Sequence, residues 1–297
     1  MLNIVERPRE NPLLRIPPSM RAVVSWNTDA PSGTIALVVH RTDGTVSESL
    51  LYARWSEIER RSLDGADAKT RIAIDVVRSD VPFAAIGVAS TVALDAIAVA
   101  TPPPPGAHAR PIAHTASFDV PEVSQYVRRA PLERGWCSAA ALTMLLRYHG
   151  LDADVENVAA GVRDIAYGGT GNWSFNAAHA GARGLRAVVA YLCDLDHVAM
   201  FLEAGLPVAI SIAWRPGELP GAPLQSSDGH LLVVRGLEPT AVLVNDPAQP
   251  AIAVRYPRAA LERVFRAHGG VAYLVAPRAR TAELVALANV PELAARS

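Results

Sequence analysis

A cysteine that starts a helix and a histidine that starts a strand are the residues whose type and placing could do chemistry. Cys137 stands in "RGWCSAAALTMLLRYHG", directly after Trp136 and directly before an alanine- and leucine-rich run that stops at Gly150. The chain has only two cysteines. A thiol is a useful nucleophile only as thiolate, and the unpaired N–H groups of a helix N-terminus favour that negative charge. A cysteine on a core helix is otherwise an inert, buried thiol, so a proton acceptor must decide between the two. Eight histidines are available. His40 follows a β-type run, His108 and His114 lie in a proline-rich stretch, and His149 abuts Gly150. His179 and His197 fall within expected helices, and His268 precedes a turn. His230 differs: it opens the apolar strand "HLLVVRGL" straight after the loop "SSDG". A side chain at the mouth of a strand is rigidly held and can still face a cleft. The next run, "AVLVNDP", pairs with it as an antiparallel hairpin, which carries Asn245 and Asp246 back toward His230. Adjacent strand residues face opposite ways, so one of the two, an amide or a carboxylate, can orient the imidazole.

The elements that must hold these groups follow "ATPPPPGAHARP", the clearest boundary in the chain. Residues Cys137 to His149 read as a helix with Gly150 as its stop. Val155, Val158, Ala159 and Val162 recur at helical spacing after Asp152 and Asp154, which suit a cap. "SFNAAHAGARG" and "LDHVAMFLEAG" read as further helices. Strands then dominate: "PVAISIAW", "HLLVVRGLE", "AVLVNDP", "AIAVRY" and, after the helix "RAALERVFRAHGG", "VAYLVAP". Helices first and antiparallel strands later make an α+β layout. "TAELVALANVPELAARS" reads as a marginal amphipathic helix and a frayed end. "YGGTGNW" lacks the lysine and spacing of a nucleotide loop and reads as a turn near the cleft.

Before the prolines, "AVVSWN", "TIALVVH", "SLLYARW", "TRIAIDVV" and two more runs after Pro82 alternate with the turn signals "DAPSG", "RTDG" and "LDGAD". Strands at this spacing suggest an antiparallel β-sandwich. The expected organisation is an all-β N-terminal domain over 1–100, a polyproline spacer over 101–117 and the α+β domain over 118–297.

Composition narrows the function classes. A formal net charge of −1 with no long basic run speaks against nucleic acid or an anionic membrane surface as partner. Two cysteines cannot build a disulfide framework or an all-cysteine zinc site. Histidines and carboxylates are scattered without ligand spacing, so neither a metal nor another cofactor is expected. The start, "MLNIVERPRENPLLRIPP", lacks the apolar core of a signal peptide, and no window reaches the length of a membrane span. The expected location is the cytoplasm, with export left open.

The motifs "SQ…GWCSAAALTMLLRYHG", "GGTGNWSFNAAHAGARGL", "GHLLVVRGL" and "VLVNDPA", in this order, resemble cysteine peptidase family thirty-nine and its relatives. These have a papain-like fold and are best known from domains that trim bacteriocin leader peptides. The resemblance covers roughly Phe118 to Pro277. It is nearer to bacterial stand-alone proteins with an N-terminal β-domain, which "VVSWNTDAPSGT" and "ARWSEIERRSLDG" resemble. One departure is Ala139 and Ala140 after "WCS", where the family often has proline or glycine. The resemblance implies Cys137 as nucleophile, His230 as general base, Asp246 as third member and Gln125, in "VPEVSQ", as a side chain that helps bind the oxyanion. Asn245 stays the alternative third member, since papain-like enzymes use Cys-His-Asn. The implied activity is hydrolysis of peptide or isopeptide bonds in a peptide or protein substrate. The alternatives are an acyltransferase with the same triad and a catalytically silent papain-like binding protein.

Overall fold

Among the described residues, strands account for all the regular structure in the first hundred, and the helices come later. The computed structural model describes residues 1–56, 58–126 and 136–289. The first part consists of β1 (Leu2–Glu6), β2 (Leu13–Asn27), β3 (Ser32–Arg41), β4 (Leu50–Ser56), β5 (Arg61–Ser62), β6 (Thr70–Ala73), β7 (Val76–Ser90) and β8 (Ala96–Ala100). These form one eight-stranded antiparallel sheet in the order β1-β8-β2-β7-β3-β4-β5, with β6 on β7. A sandwich would bond as two sheets; here the bonding is continuous, carried by the 15-residue strands β2 and β7. Their register shifts between Arg15 and Ser19, where Pro17 and Pro18 have no N–H to give, and again before Arg21. The sheet closes on a core that includes Trp26, Tyr52, Trp55 and Phe83.

The second part runs α1 (Trp136–Tyr148), α2 (Val155–Val162), α3 (Trp173–Ala182), β9 (Leu185–Tyr191), α4 (Leu195–Glu203), β10 (Val208–Trp214), β11 (Ser227–Leu237), β12 (Ala241–Asn245), β13 (Ala253–Pro257), α5 (Arg258–Ala267), β14 (Val271–Pro277) and α6 (Thr281–Ala288). Its antiparallel sheet has the order β13-β12-β11-β10-β14-β9. Local chemistry sets the helix ends. Asp154, Asn172 and Asp194 each accept backbone N–H groups as N-caps. Gly150, at φ +80°, takes the left-handed turn that closes α1. From Cys137 to Leu146, α1 is buried on every side, which makes it a core helix. Residues 290–297, the expected frayed end, lie outside the described residues.

The proline tract does not float between the two parts. Ala107 and Ala109 pack on Cys193. The Ala109 N–H donates to Asp194 Oδ2 (3.0 Å) and the Ile112 N–H to Asp196 Oδ1 (2.7 Å). Thr115 and Phe118 then bond along β11.

The two sheets are also joined through their cores. Phe175 and Ala178 of α3 belong to the same apolar cluster as Trp26 and Trp55, and the Phe175 ring meets Trp26 edge-on at 5.8 Å. Arg186 on β9 is 2 % exposed and donates to Asn27 Oδ1 (2.9 Å), Asp95 (3.0 Å) and Glu6 (2.5 Å), all in the first part. A buried guanidinium is tolerated only with such pairing.

Candidate active site

Cys137 is the second residue of α1, and the helix start is pinned in place. The Ser138 hydroxyl bonds to the carbonyl (2.5 Å) and hydroxyl (2.8 Å) of Thr170, in the "GGTGN" turn. That turn therefore borders the site, as its sequence suggested. Residues 127–135, which include Arg134 and Gly135 of the cysteine motif, lie outside the described residues.

β11 runs between β10 and β12, with His230 opposite Ile212 and Val233 opposite Asn245. The chain leaves β12 at Asn245, so Asp246 comes level with the mouth of β11. His230 Nε2 lies 2.7 Å from Asp246 Oδ1. The carboxylate accepts, so Nε2 carries the hydrogen and Nδ1 is the ring nitrogen left for the thiol. Asn245 faces away, as alternation requires, and donates to the Val120 carbonyl at 2.8 Å. Asp246, and not Asn245, meets the imidazole.

Asp246 is itself held. Its Oδ2 accepts from the Tyr256 hydroxyl at 2.6 Å, and its Oδ1 from the Ala248 N–H at 3.0 Å. Tyr256, on β13, gave no signal in the sequence beyond an aromatic in a strand. Trp214 stands edge-on to the His230 ring at 5.7 Å, its indole N–H on the Leu224 carbonyl. It screens the histidine–aspartate pair from water.

The charges within this set reinforce one another. Burial pushes the Cys137 thiol up, but the hydrogen bond and charge of His230 and the N–H groups of Leu231 and Ser138 together outweigh it, and the thiol is held below its ordinary value. Burial works against a charged His230 too, yet Asp246 and Cys137 reverse this and raise it far above an ordinary imidazole. Asp246 is buried, yet His230, Tyr256 and the Ala248 N–H keep it below the usual carboxylate range. All three displacements favour the charged forms: thiolate, imidazolium and carboxylate.

Gln125 is brought to the Asp246 side: its N–H donates to the carbonyl of Pro247 at 3.0 Å. Its side-chain oxygen is buried without a hydrogen-bond partner among the described residues. Cys193 is a free, buried thiol, as is Cys137.

A cleft of about 500 Å³ opens at Cys137. One wall is formed by Tyr167, Trp173 and the mouth of β11; the opposite wall comes from the first sheet, with Arg21, Ile74 and Arg78. No sequence signal placed Arg21, Ile74 or Arg78 near the cysteine. Ile74 and Asp75 form the two-residue turn between β6 and β7, closed by the Ala73–Val76 pair. Ile74 has φ +62°, a left-handed conformation that strains a β-branched residue. Two bonds to the next residue fasten the turn: Asp75 Oδ2 accepts the Trp173 N–H at 2.6 Å, at the start of α3, and the Asp75 carbonyl accepts the Tyr52 hydroxyl at 2.8 Å.

Residues 117–273 match the family model of the Peptidase C39-like family. No curated protein sequence matches the chain. Among solved structures, a C39-like peptidase from Bacillus anthracis is 18% identical, over 56% of this chain and 98% of its own, with a TM-score of 0.44. A double glycine motif protease from an AMS/PCAT transporter, solved in complex with the leader peptide, is 22% identical over 56% and 99%, with a TM-score of 0.38. The peptidase domain of Streptococcus ComA, a bifunctional ABC transporter of a quorum sensing pathway, is 18% identical over 52% and 97%, with a TM-score of 0.38.

Proposed function

Because the chain belongs to the Peptidase C39-like family, we propose that it is a cysteine peptidase that hydrolyses peptide or isopeptide bonds through a thioester on Cys137. One observation carries the reading. Asp246 stands 2.7 Å behind His230, and His230 in turn favours the Cys137 thiolate, so thiol and imidazole are displaced in opposite directions. A structural ion pair would have no use for a nucleophile at its open end, on a cleft.

The chemistry follows from that order of groups. The Cys137 proton resides on His230 Nδ1, and the thiolate attacks the carbonyl carbon of the scissile bond. The oxygen of the tetrahedral intermediate takes up the negative charge. The backbone N–H of Cys137 at the helix start and the side-chain amide of Gln125 are the donors we assign to it; removing one such donor typically costs about a hundredfold or more in rate. His230 gives its proton to the leaving nitrogen, the C–N bond breaks and the thioester remains. Water then attacks, His230 takes its proton, and the C–S bond breaks to release the acid. Asp246 keeps the imidazole in one tautomer and stabilises the imidazolium throughout. In this reading 118–297 carry the chemistry, and 1–100 form one wall of the cleft.

The test is the iodoacetamide rate of Cys137 against pH, in wild type and in His230→Ala. The thiol's pKa is depressed, so thiolate is present above that lowered value, and alkylation is fast at neutral pH. In His230→Ala, only the backbone N–H groups of Leu231 and Ser138 still oppose burial, and the midpoint moves up toward the roughly 8.5 of a free cysteine. Peptide hydrolysis needs the imidazolium as well. It rises as the pair loses its first proton and falls as His230, whose pKa is raised, loses its own, a bell whose limits belong to the pair. Identical alkylation curves in the two proteins, both with an ordinary midpoint, would overturn the reading.

A further inference from the structure

We propose that Arg21 and Arg78, presented to the cleft by the N-terminal sheet, form a subsite for a substrate carboxylate, so that the enzyme selects peptides with an aspartate or glutamate close to the scissile bond. The inference rests on the peptidase reading above and adds a substrate class to it.

Arg21 on β2 and Arg78 on β7 are directly opposed in the antiparallel register. Like charges in that position repel. A sheet normally answers such a pair with an acid, as Arg41 on β3 is answered by Asp67. Among the described residues, neither Arg21 nor Arg78 has an acid within salt-bridge distance. The Arg21 Nε is buried without a hydrogen-bond partner. Its guanidinium lies over the Tyr191 ring at 5.4 Å. A Cβ at Gly269 would lie 3.6 Å from Nη1, in ordinary contact, so the turn after α5 borders the guanidinium. Both arginines line the same cleft as Cys137.

The acids of that cleft are engaged elsewhere. Asp75 is 5 % exposed and gives its Oδ2 to the Trp173 N–H. Asp228 points to solvent and pairs with Arg215 at 3.1 Å. Among the described residues that line the cleft, the remaining charge is two guanidinium groups. A carboxylate is the ligand that matches them, because one planar fork binds it through two parallel bonds and a second relieves the repulsion. The strained turn at Ile74 belongs to the same wall and is fastened to α3 through Asp75, so the wall that carries the pair is tied to the element across the cleft.

A quenched-fluorescent peptide library tests this, with Glu, Gln or Lys fixed in turn at each of several positions on either side of the cleaved bond. The full chain should prefer Glu to Gln at one position by roughly tenfold or more in kcat/KM, the size expected of a hydrogen bond to a charged group, and Lys should be worst. Arg78 is exposed, so Arg78→Glu should fold as wild type does, which its thermal midpoint checks; the new carboxylate, directly opposite Arg21, should neutralise it and abolish the preference for Glu over Gln at that position. Arg21→Gln should flatten the preference, but Arg21 also packs on Tyr191, so Arg78→Glu is the deciding variant. Cleavage with no charge preference at any position, or a preference that survives Arg78→Glu, overturns the subsite and leaves the peptidase reading standing. No cleavage of any peptide, with an ordinary titration of Cys137, overturns both.

Discussion

Cys193 lies 3.4 Å from His197 Nδ1, and Cys137 lies against His230, yet the two thiols are displaced in opposite directions. Burial pushes Cys193 up to about 12, and the charge of Asp194 beside it adds to the effect. His197 is lowered, chiefly by burial, and so stays a neutral ring. Its Nε2 bonds to the carbonyl of Leu287 (2.9 Å), while Nδ1 accepts the Cys193 N–H (3.3 Å). Each pair has one carboxylate nearby. At Cys193 it stands beside the thiol, where a second negative charge would be repelled. At Cys137 it stands behind the histidine, where it favours the imidazolium and through it the thiolate. A cysteine–histidine contact is therefore not itself an activated nucleophile; the position of the third group decides.

The largest expected effect comes from removing one sulfur at each place. Cys137→Ala should abolish peptide turnover, a loss of about ten-thousandfold or more, as for the nucleophile of a catalytic set. Cys193→Ala should leave kcat/KM within about threefold, since most mutations that act only on packing change stability and not chemistry. Equal losses in the two variants, measured as kcat/KM on the best library peptide, would erase the contrast.

Moving the third group toward the Cys193 condition is the next step down. Asp246→Asn keeps the shape beside His230 Nε2 but removes the charge behind it. Turnover should fall about a hundredfold or more, less than on loss of Cys137. The alkylation midpoint of Cys137 should rise, because the imidazolium that favours the thiolate is less stable. A variant with wild-type alkylation and turnover would show that the carboxylate contributes only packing.

The smallest effect tests whether Asp246 must itself be held. Tyr256→Phe removes the 2.6 Å donor to Oδ2. Losing one hydrogen bond to a buried charged group corresponds to about tenfold in rate. Tyr256 lowers the pKa of Asp246, so without it the carboxylate protonates at higher pH and the acid limb of the hydrolysis profile should move up. A loss in kcat with no movement of that limb would point to a packing role instead.

Much of the site was visible in local patterns. The stop of α1 at Gly150, the apolar run after His230 and the hairpin that returns Asp246 are all short-range features, and the structure has each of them. Elsewhere the local signal misled. "TRIAIDVV" reads as one strand because it has no glycine, asparagine or proline. It contains β6, a two-residue turn and the start of β7, and the turn, strained at Ile74, is fastened at Asp75 by Tyr52 and Trp173 from two other elements. The run "AVVAYL" has no alternation, since every residue of β9 is buried; both faces are covered, so the period that marks a half-buried strand is absent. The proline tract reads as a free spacer because its composition is that of an extended chain. Its docking on Asp194 and Asp196 depends on acids far along the sequence.

By itself the sequence determined where a thiol meets a helix start and where a histidine and an aspartate return to each other across a hairpin, because capping, periodicity and strand pairing act within a few residues. Only the tertiary structure decided which of two cysteine–histidine contacts carries a stabilised thiolate, and that a turn and two arginines from the other sheet wall its cleft. Both depend on burial and on charges from distant segments summed at one point, and neither quantity is a property of any single stretch of chain.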